Sequence, residues 1–424
     1  MRFVAILAVG LMAVPGAWAA SSTAGKVCDV HTFGAIGKGV DKDTAAIQKA
    51  IDTCAANKGG GVVLVTNGTY LTGPISLKSN ITLSIAPNAT LLGSPDRADY
   101  PAFTFARLQT VQPLISAVNA ENVTISGGGT IDGNGKIWWD YVRGVKDSGV
   151  LGTDHPRPMG ILFDHCKHVH MENVTVQNSG FWQIVPNYSD DLSFKNMKVL
   201  APLSPNTDAI DPFSSSHILI DHVFVSTGDD NVAIKSGAIN SPGPDAPSEY
   251  ITITDCTFEH GHGISIGSEV AGGVHHVHVE RVHFKGTDNG IRIKAARDRG
   301  SDVSDITFKD IEMDGVKNAI FITEYYPSSK APQGDVAPAE VTRLTPKFHD
   351  IHLENVHAVN SASDGIIVGL PESPVFDVTL KNVHIEGHGG MEIAYARLNF
   401  DDVTFKAETG DGITVRKTAE ITAK

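Results

Sequence analysis

The chain has 424 residues, 41% hydrophobic and 7% aromatic, which is enough apolar material for a large folded core and excludes intrinsic disorder. Its formal net charge of −14 argues against a nucleic acid partner and sets a condition on any anionic ligand: the surface that binds it must be locally cationic. Four cysteines are too few for a disulfide scaffold but fit an oxidising compartment.

In chain order, Arg2 precedes an apolar run from Phe3 to Val14, and Ala17-Trp18-Ala19 supplies a small-x-small cleavage motif. Residues 1–20 therefore read as a secretory signal peptide, cut after Ala19 or Ala20. The run is shorter than the ~20 apolar residues a membrane span needs. Residues 21–424 are expected to form one exported, monomeric domain, secreted or periplasmic, with no membrane segment after cleavage. Ala46, Ile47, Ala50, Ile51 and Cys54 then recur at helical spacing, with Asp43 placed to cap the helix and Gly59-Gly60-Gly61 to end it. Cys28 and Cys54 flank this segment and are the expected disulfide pair. Cys256 reads as a core residue, and Cys166 is left open.

From Val62 onward helical periodicity gives way to short alternating segments broken by Gly, Asn, Asp and Pro. A common template emerges in His168–Val174, Ile218–Val223, Ile251–Cys256, His276–Val282, Ile306–Ile311, Ile351–Val356 and Val378–Val383. Apolar and polar residues alternate, a polar pair follows, and an apolar residue resumes the inward face. Recurrence every ~20–35 residues is the mark of a solenoid. The expected fold is all-β: a right-handed parallel β-helix of roughly ten coils, its first coil covered by the N-terminal helix. Loops at 241–248 and 327–338 read as excursions between strands.

Four polar clusters fall on successive repeats: Asn206-Thr207-Asp208, Gly228-Asp229-Asp230, Gly261-His262-Gly263 and Arg292-Ile293-Lys294. In a strand, Asn206 and Asp208 would share one face, as would Arg292 and Lys294. Crowded carboxylates cannot all ionise cheaply, so one is expected to keep a proton, the condition for a general acid beside a general base. Glycoside hydrolysis needs such a pair. Calcium is the competing use of clustered Asp oxygens, and the two nearby cations argue against it. Arg292 and Lys294 suit the carboxylate of a sugar acid. His262 lies between glycines that are expected to leave its ring accessible.

Elsewhere His168, His170 and Glu172, and His276, His278 and Glu280, have metal-like spacing, but repetition of the template explains them. The run Gly127–Gly135 reads as a tight corner rather than a phosphate loop. Trp138 and Trp139 behind it are placed either to stack on sugars or to anchor a loop.

In this order and spacing the four clusters resemble the polygalacturonases of glycoside hydrolase family 28. The segments Ser204–Ser215, Thr227–Lys235 and Gly261–Glu269 are similar to bacterial endopolygalacturonases. The resemblance implies inverting, endo-acting hydrolysis of α-1,4-galacturonan (polygalacturonate or pectin) without a cofactor or metal. It assigns Asp229 as acid, Asp208 and Asp230 to the attacking water, and His262 to the protonation of the acid. Arg292 and Lys294 hold the galacturonate carboxylate, and Asn206 and Tyr326 contact substrate. Alternatives are an exo-polygalacturonase or a rhamnogalacturonan hydrolase and, more remotely, a calcium-dependent pectate lyase or a non-catalytic β-helix adhesin.

Overall fold

In the computed structural model, residues 25–106, 108–147, 156–237, 245–328, 330, 336–416 and 418–424 are described. The signal-peptide reading lies outside these residues, as do parts of the two loop excursions. The chain winds into a right-handed parallel β-helix. Three stacks of strands run along it, each strand pairing in parallel with its counterpart one coil on.

The repeat template occupies the first stack. Ile218 lies beside Ile251, Ile251 beside Val277, Val277 beside Ile306, Ile306 beside Ile351 and Ile351 beside Val378. Period-two alternation sends each of these inward, and all are buried in one continuous apolar core. Residues such as His217, Tyr250, His276, Asp305 and Asp350 turn the corner into these strands with φ between 52° and 55°. Asn, Asp and His tolerate that left-handed conformation better than most side chains, which explains the polar residue leading each template. A second stack follows the same corner logic from Gly68–Thr72 through Thr130–Asp132 and Phe224–Thr227.

The third stack carries the polar clusters. It runs from Ile75–Leu77 through Ile115–Val118, Ile161–Asp164 and Ile184–Asn187. Single bridges at Ile210 and Phe213 continue it to Val232–Ile234, Ile264–Gly267, Asn289–Lys294 and Asn318–Thr323.

Helix α1, Thr44–Ala55, buries Ile47, Ala50, Ile51 and Cys54 over the first coil. Cys54 forms a disulfide with Cys28. Cys166 and Cys256 are free and buried. Two details differ from expectation. Asp43 holds the N-cap position, but its carboxylate accepts from the backbone N–H groups of Ile36 and Gly37 (2.6 and 3.1 Å) instead of capping the helix. The helix also stops at Ala55, ahead of the glycines, which serve close packing: a Cβ on Gly61 would collide with Lys26 O.

A second helix, α2 (Lys136–Asp147), interrupts the solenoid where helical periodicity was not expected. Trp138 and Trp139 anchor it. Both are buried; Trp138 meets Tyr100 edge-on, and Trp139 Nε1 donates to Ser179 O at 2.8 Å. Their faces are used inside the protein, which decides between the two readings of this pair. One antiparallel hairpin, Ala102–Phe105 with Leu108–Val111, stands off the β-helix beside the third stack.

Candidate active site

On the third stack Ile210, Val232, Ile264 and Ile291 lie in register on four successive coils. Asp208, Asp230 and His262 each sit two residues before their level's inward residue, so the register stacks them in one column. Arg292 and Lys294 follow Ile291 on the next coil, with Ile293 buried between them as alternation requires. Asn206-Thr207-Asp208 differs from expectation: Asn206 ends a turn at φ 56° and Thr207 and Asp208 are irregular backbone, not strand. Its side chains still converge on the column, because Asn206 Nδ2 lies 3.3 Å from Asp229 Oδ2.

The glycines around His262 have a different cause from the one expected. Gly261 and Gly263 take φ of 94° and 82°, and a Cβ on Gly261 would come within 2.5 Å of Asp229 O, while one on Gly263 would collide with Asn289 O. They let adjacent coils approach. His262 itself is half-buried: its Nδ1 is 2.9 Å from Asp229 Oδ1 and 3.7 Å from Asp230 Oδ1, and its Nε2 is 3.5 Å from Asp288 Oδ2.

Burial and charge push the carboxyls apart. Burial would raise Asp230, but Lys294 Nζ at 2.8 Å and Arg292 Nη1 at 2.7 Å outweigh it and hold this carboxylate well below its usual range. Asp229 is likewise pulled up by burial, yet the hydrogen bond from His262 keeps it low. His262 is raised in turn: the bond to Asp229 and the carboxylate charges outweigh its burial. Asp208 goes the other way. Burial, then the neighbouring Asp211 and Asp229, lift it well above the normal value against the opposing charge of Lys235, whose Nζ is 3.6 Å away. Asp211 is raised by burial to about 8. Two carboxyls are thus pushed toward the neutral form and two toward the ionised form, the kind of division that acid–base chemistry at one site requires.

Arg292 and Lys294, read from sequence as cations for a sugar carboxylate, are both engaged with Asp230. Arg292 keeps its Nε unpartnered among the described residues. Tyr326 lies over both cations, its ring centroid 5.3 Å from Lys294 Nζ and 5.8 Å from the Arg292 guanidinium, whereas Tyr325 packs with Phe321, Ile366 and Val368. Tyr326 is therefore the tyrosine of the pair that lines the cavity.

That cavity, about 470 Å³, falls within the ~300–1,000 Å³ typical of ligand sites. Its lining includes Asn206, Asp208, Asp229, Asp230, Lys294 and Tyr326, together with Lys235, Glu269 and Arg299. The upstream side is apolar. Phe105 and Leu108 of the hairpin meet Phe181, Trp182 and Phe213 there, and Phe105 packs edge-on against Trp182 (6.0 Å) and Phe213 (5.6 Å). Trp182 is thus the tryptophan at the cleft.

Sequence reasoning missed Asp211, Lys235, Glu269, Trp182 and Arg157. Asp211 and Lys235 sit three and five residues beyond recognised carboxylates, close enough to have been found by extending each cluster. Arg157 lies 49 residues before Asn206, with no local pattern to mark it.

Asp229, Asp230 and His262 are close enough to hold a metal ion, as are Asp221, His222 and Asp255. Both oxygens of Asp230 already face cations, so a metal there would meet two positive charges at short range. Asp255 is bound bidentately by Arg281. The repeat histidines serve the ladder: His168 pairs with Asp191 at 2.6 Å, His170 with Ser193 at 2.8 Å, and His276 with Asp305 at 2.5 Å.

Residues 47–405 match the glycosyl hydrolases family 28. A probable polygalacturonase of Vitis vinifera is 30% identical over 84% of this chain and 75% of its own length. An endo-polygalacturonase of Pectobacterium carotovorum subsp. carotovorum is 30% identical over 82% of this chain and 86% of its own. Among solved structures, an exopolygalacturonase from Thermotoga maritima superposes with a TM-score of 0.78 at 28% identity, covering 91% of this chain and 93% of that one. A right-handed β-helix, a column of environmentally divided carboxyls and a match spanning most of the chain lead to one assignment: this chain belongs to glycosyl hydrolase family 28 and is a glycoside hydrolase.

Proposed function

We propose that the chain hydrolyses α-1,4-galacturonosidic bonds of polygalacturonate with inversion, releasing short products from a chain end. The observation that carries the substrate class is the set of cations brought to the carboxyl column. Lys235, Lys294 and Arg299 line the cavity beside Asp208, Asp229, Asp230 and Glu269, in a chain of net charge −14, and an anionic sugar is a ligand for which cations at that position are useful. The relatives named polygalacturonase support the same reading.

In this mechanism Asp229 protonates the glycosidic oxygen as the bond to the anomeric carbon breaks. Asp229 is ionised at rest, so its proton comes along the 2.9 Å contact from the raised imidazolium of His262. A water on the opposite face, held by Asp208 and Asp230, attacks the anomeric carbon and loses its proton to Asp230, the carboxylate kept ionised by Arg292 and Lys294. Asn206, Tyr326 and the two cations orient the sugar.

For the mode of action we favour a chain end over the endo action expected from the sequence. The support for it is the apolar hairpin wall, where Phe105 and Leu108 stand on the upstream side of Asp208 at one edge of the cavity. Export fits the signal-like N-terminus and the Cys28–Cys54 disulfide. Product sizing at low conversion of polygalacturonate tests the mode: monomer or dimer alone is expected, and a ladder of oligomers would restore endo action.

A further inference from the structure

Arg157 is among the largest fully buried side chains of the described residues, 1% exposed. A buried guanidinium normally has a carboxylate partner, because removing the charge from water is costly. Arg157 makes no ion pair within 4 Å among the described residues. Instead its Nη2 donates to Asn206 Oδ1 at 3.0 Å, and its Nη1 donates to Pro205 O at 3.0 Å and to Gly180 O at 3.4 Å. Its plane lies over Phe181, 4.5 Å from the ring centroid. Arg157 precedes Pro158, which biases its backbone to the extended form, and Thr110 Oγ1 fixes its carbonyl at 2.7 Å.

The consequence lies one bond further on. A guanidinium has donors and no acceptor, so it requires the oxygen of the Asn206 amide to face it. The Nδ2 group must then point the other way, and it points at Asp229 Oδ2, 3.3 Å distant. Without Arg157 only the Asp229 carboxylate itself would favour that orientation, and flipped the amide would set an oxygen against it. The bond to Pro205 O also pins the turn in which Asn206 holds its left-handed backbone.

We propose that Arg157 is a positioning residue for the acid: it locks the Asn206 amide so that Nδ2 donates to Asp229 and holds the Asn206 turn against the cleft. Its side chain is buried and does not line the cavity. Its unpaired charge adds to the field at Asp208 and Asp229, the two carboxylates that act on it electrostatically. The kinetic part of this inference rests on the hydrolase reading above; the geometric part does not.

The test uses Arg157→Lys, Asn206→Ala and the double variant, with wild type measured alongside on polygalacturonate and folding checked by circular dichroism. Arg157→Lys keeps the charge and loses the fork, so kcat is expected to fall about ten- to a hundredfold with KM changed far less, the scale of a misplaced catalytic group. The double variant is expected to match Asn206→Ala alone, since both changes cut one path. A readout independent of turnover is the NMR titration of the His262 imidazole in the free protein. Its midpoint should move in Arg157→Lys and in Asn206→Ala, with no further movement in the double variant. Should Arg157→Lys fail to fold, Asn206→Asp gives the answer. It offers Arg157 an ion pair and Asp229 a repulsive oxygen, so stability is retained while kcat collapses and the His262 midpoint shifts. Additive losses, an unmoved His262 titration, or a fully active Asn206→Asp would overturn the proposal. If wild type itself leaves polygalacturonate uncut, the substrate reading fails and the titration still decides the positioning role.

Discussion

Asp211 offers the sharpest test of the electrostatic account. It is fully buried beside the active-site column, next to Asp208 and Lys235. Burial raises its pKa from 3.8 to about 8, so at neutral pH the folded protein holds a proton that the unfolded chain releases. The folded state therefore binds more protons than the unfolded state between those two values, and stability falls as pH rises across the interval. The slope is about 1.4 kcal/mol per pH unit, so holding Asp211 neutral costs about 4 kcal/mol by about pH 7 and almost nothing near pH 4. Asp211→Asn keeps the shape and removes the titration. It is expected to stabilise the protein by up to about 4 kcal/mol near pH 7 and to leave it nearly unchanged near pH 4. Urea unfolding at both pH values, with the disulfide intact, measures this. An equal effect at the two pH values, or a loss near pH 7, would refute the assignment of the proton.

Two further predictions follow from the stacking. Gly263→Ala places a Cβ against Asn289 O at a positive φ, so it should lower stability by about 1–3 kcal/mol and reduce the melting temperature, whereas a glycine needed only for ring access would tolerate the methyl. Lys294→Met removes one of two cations from Asp230; breaking a buried pair costs about 3–5 kcal/mol, and the Asp230 pKa must rise. The acid limb of kcat/KM should then move to higher pH, and an unchanged limb would separate Asp230 from the ionisation that activity requires.

How much of this was legible in the sequence depends on the range of each interaction. The first-stack template was readable because strand alternation is local and each coil repeats it; the Ile218-to-Val378 column lies in the register that the alignment of templates implies. The four clusters were readable as neighbours for the same reason. Their internal wiring was not. Whether Lys294 meets a sugar or Asp230 depends on side-chain reach across two coils, and the glycines beside His262 depend on how closely Asn289 O approaches. Helix α2 escaped because its apolar residues are spent on Tyr100 and Ser179, outside the repeating core, with a glycine-rich corner immediately before it. Arg157 had no signal at all: one arginine between two prolines gains its meaning from the fold bringing Pro205 and Asn206 to it.

The proposed function has the Asp229 column cleave galacturonan by hydrolysis. Asp229→Asn preserves shape and removes the acid, so the direct measurement compares it with wild type on polygalacturonate, following new reducing ends and ultraviolet absorbance together. Wild type is expected to generate reducing ends without an unsaturated chromophore, and Asp229→Asn, equally folded by circular dichroism, is expected to generate neither. Full activity in Asp229→Asn would contradict the acid assignment, and a calcium-dependent chromophore from wild type would replace hydrolysis with elimination.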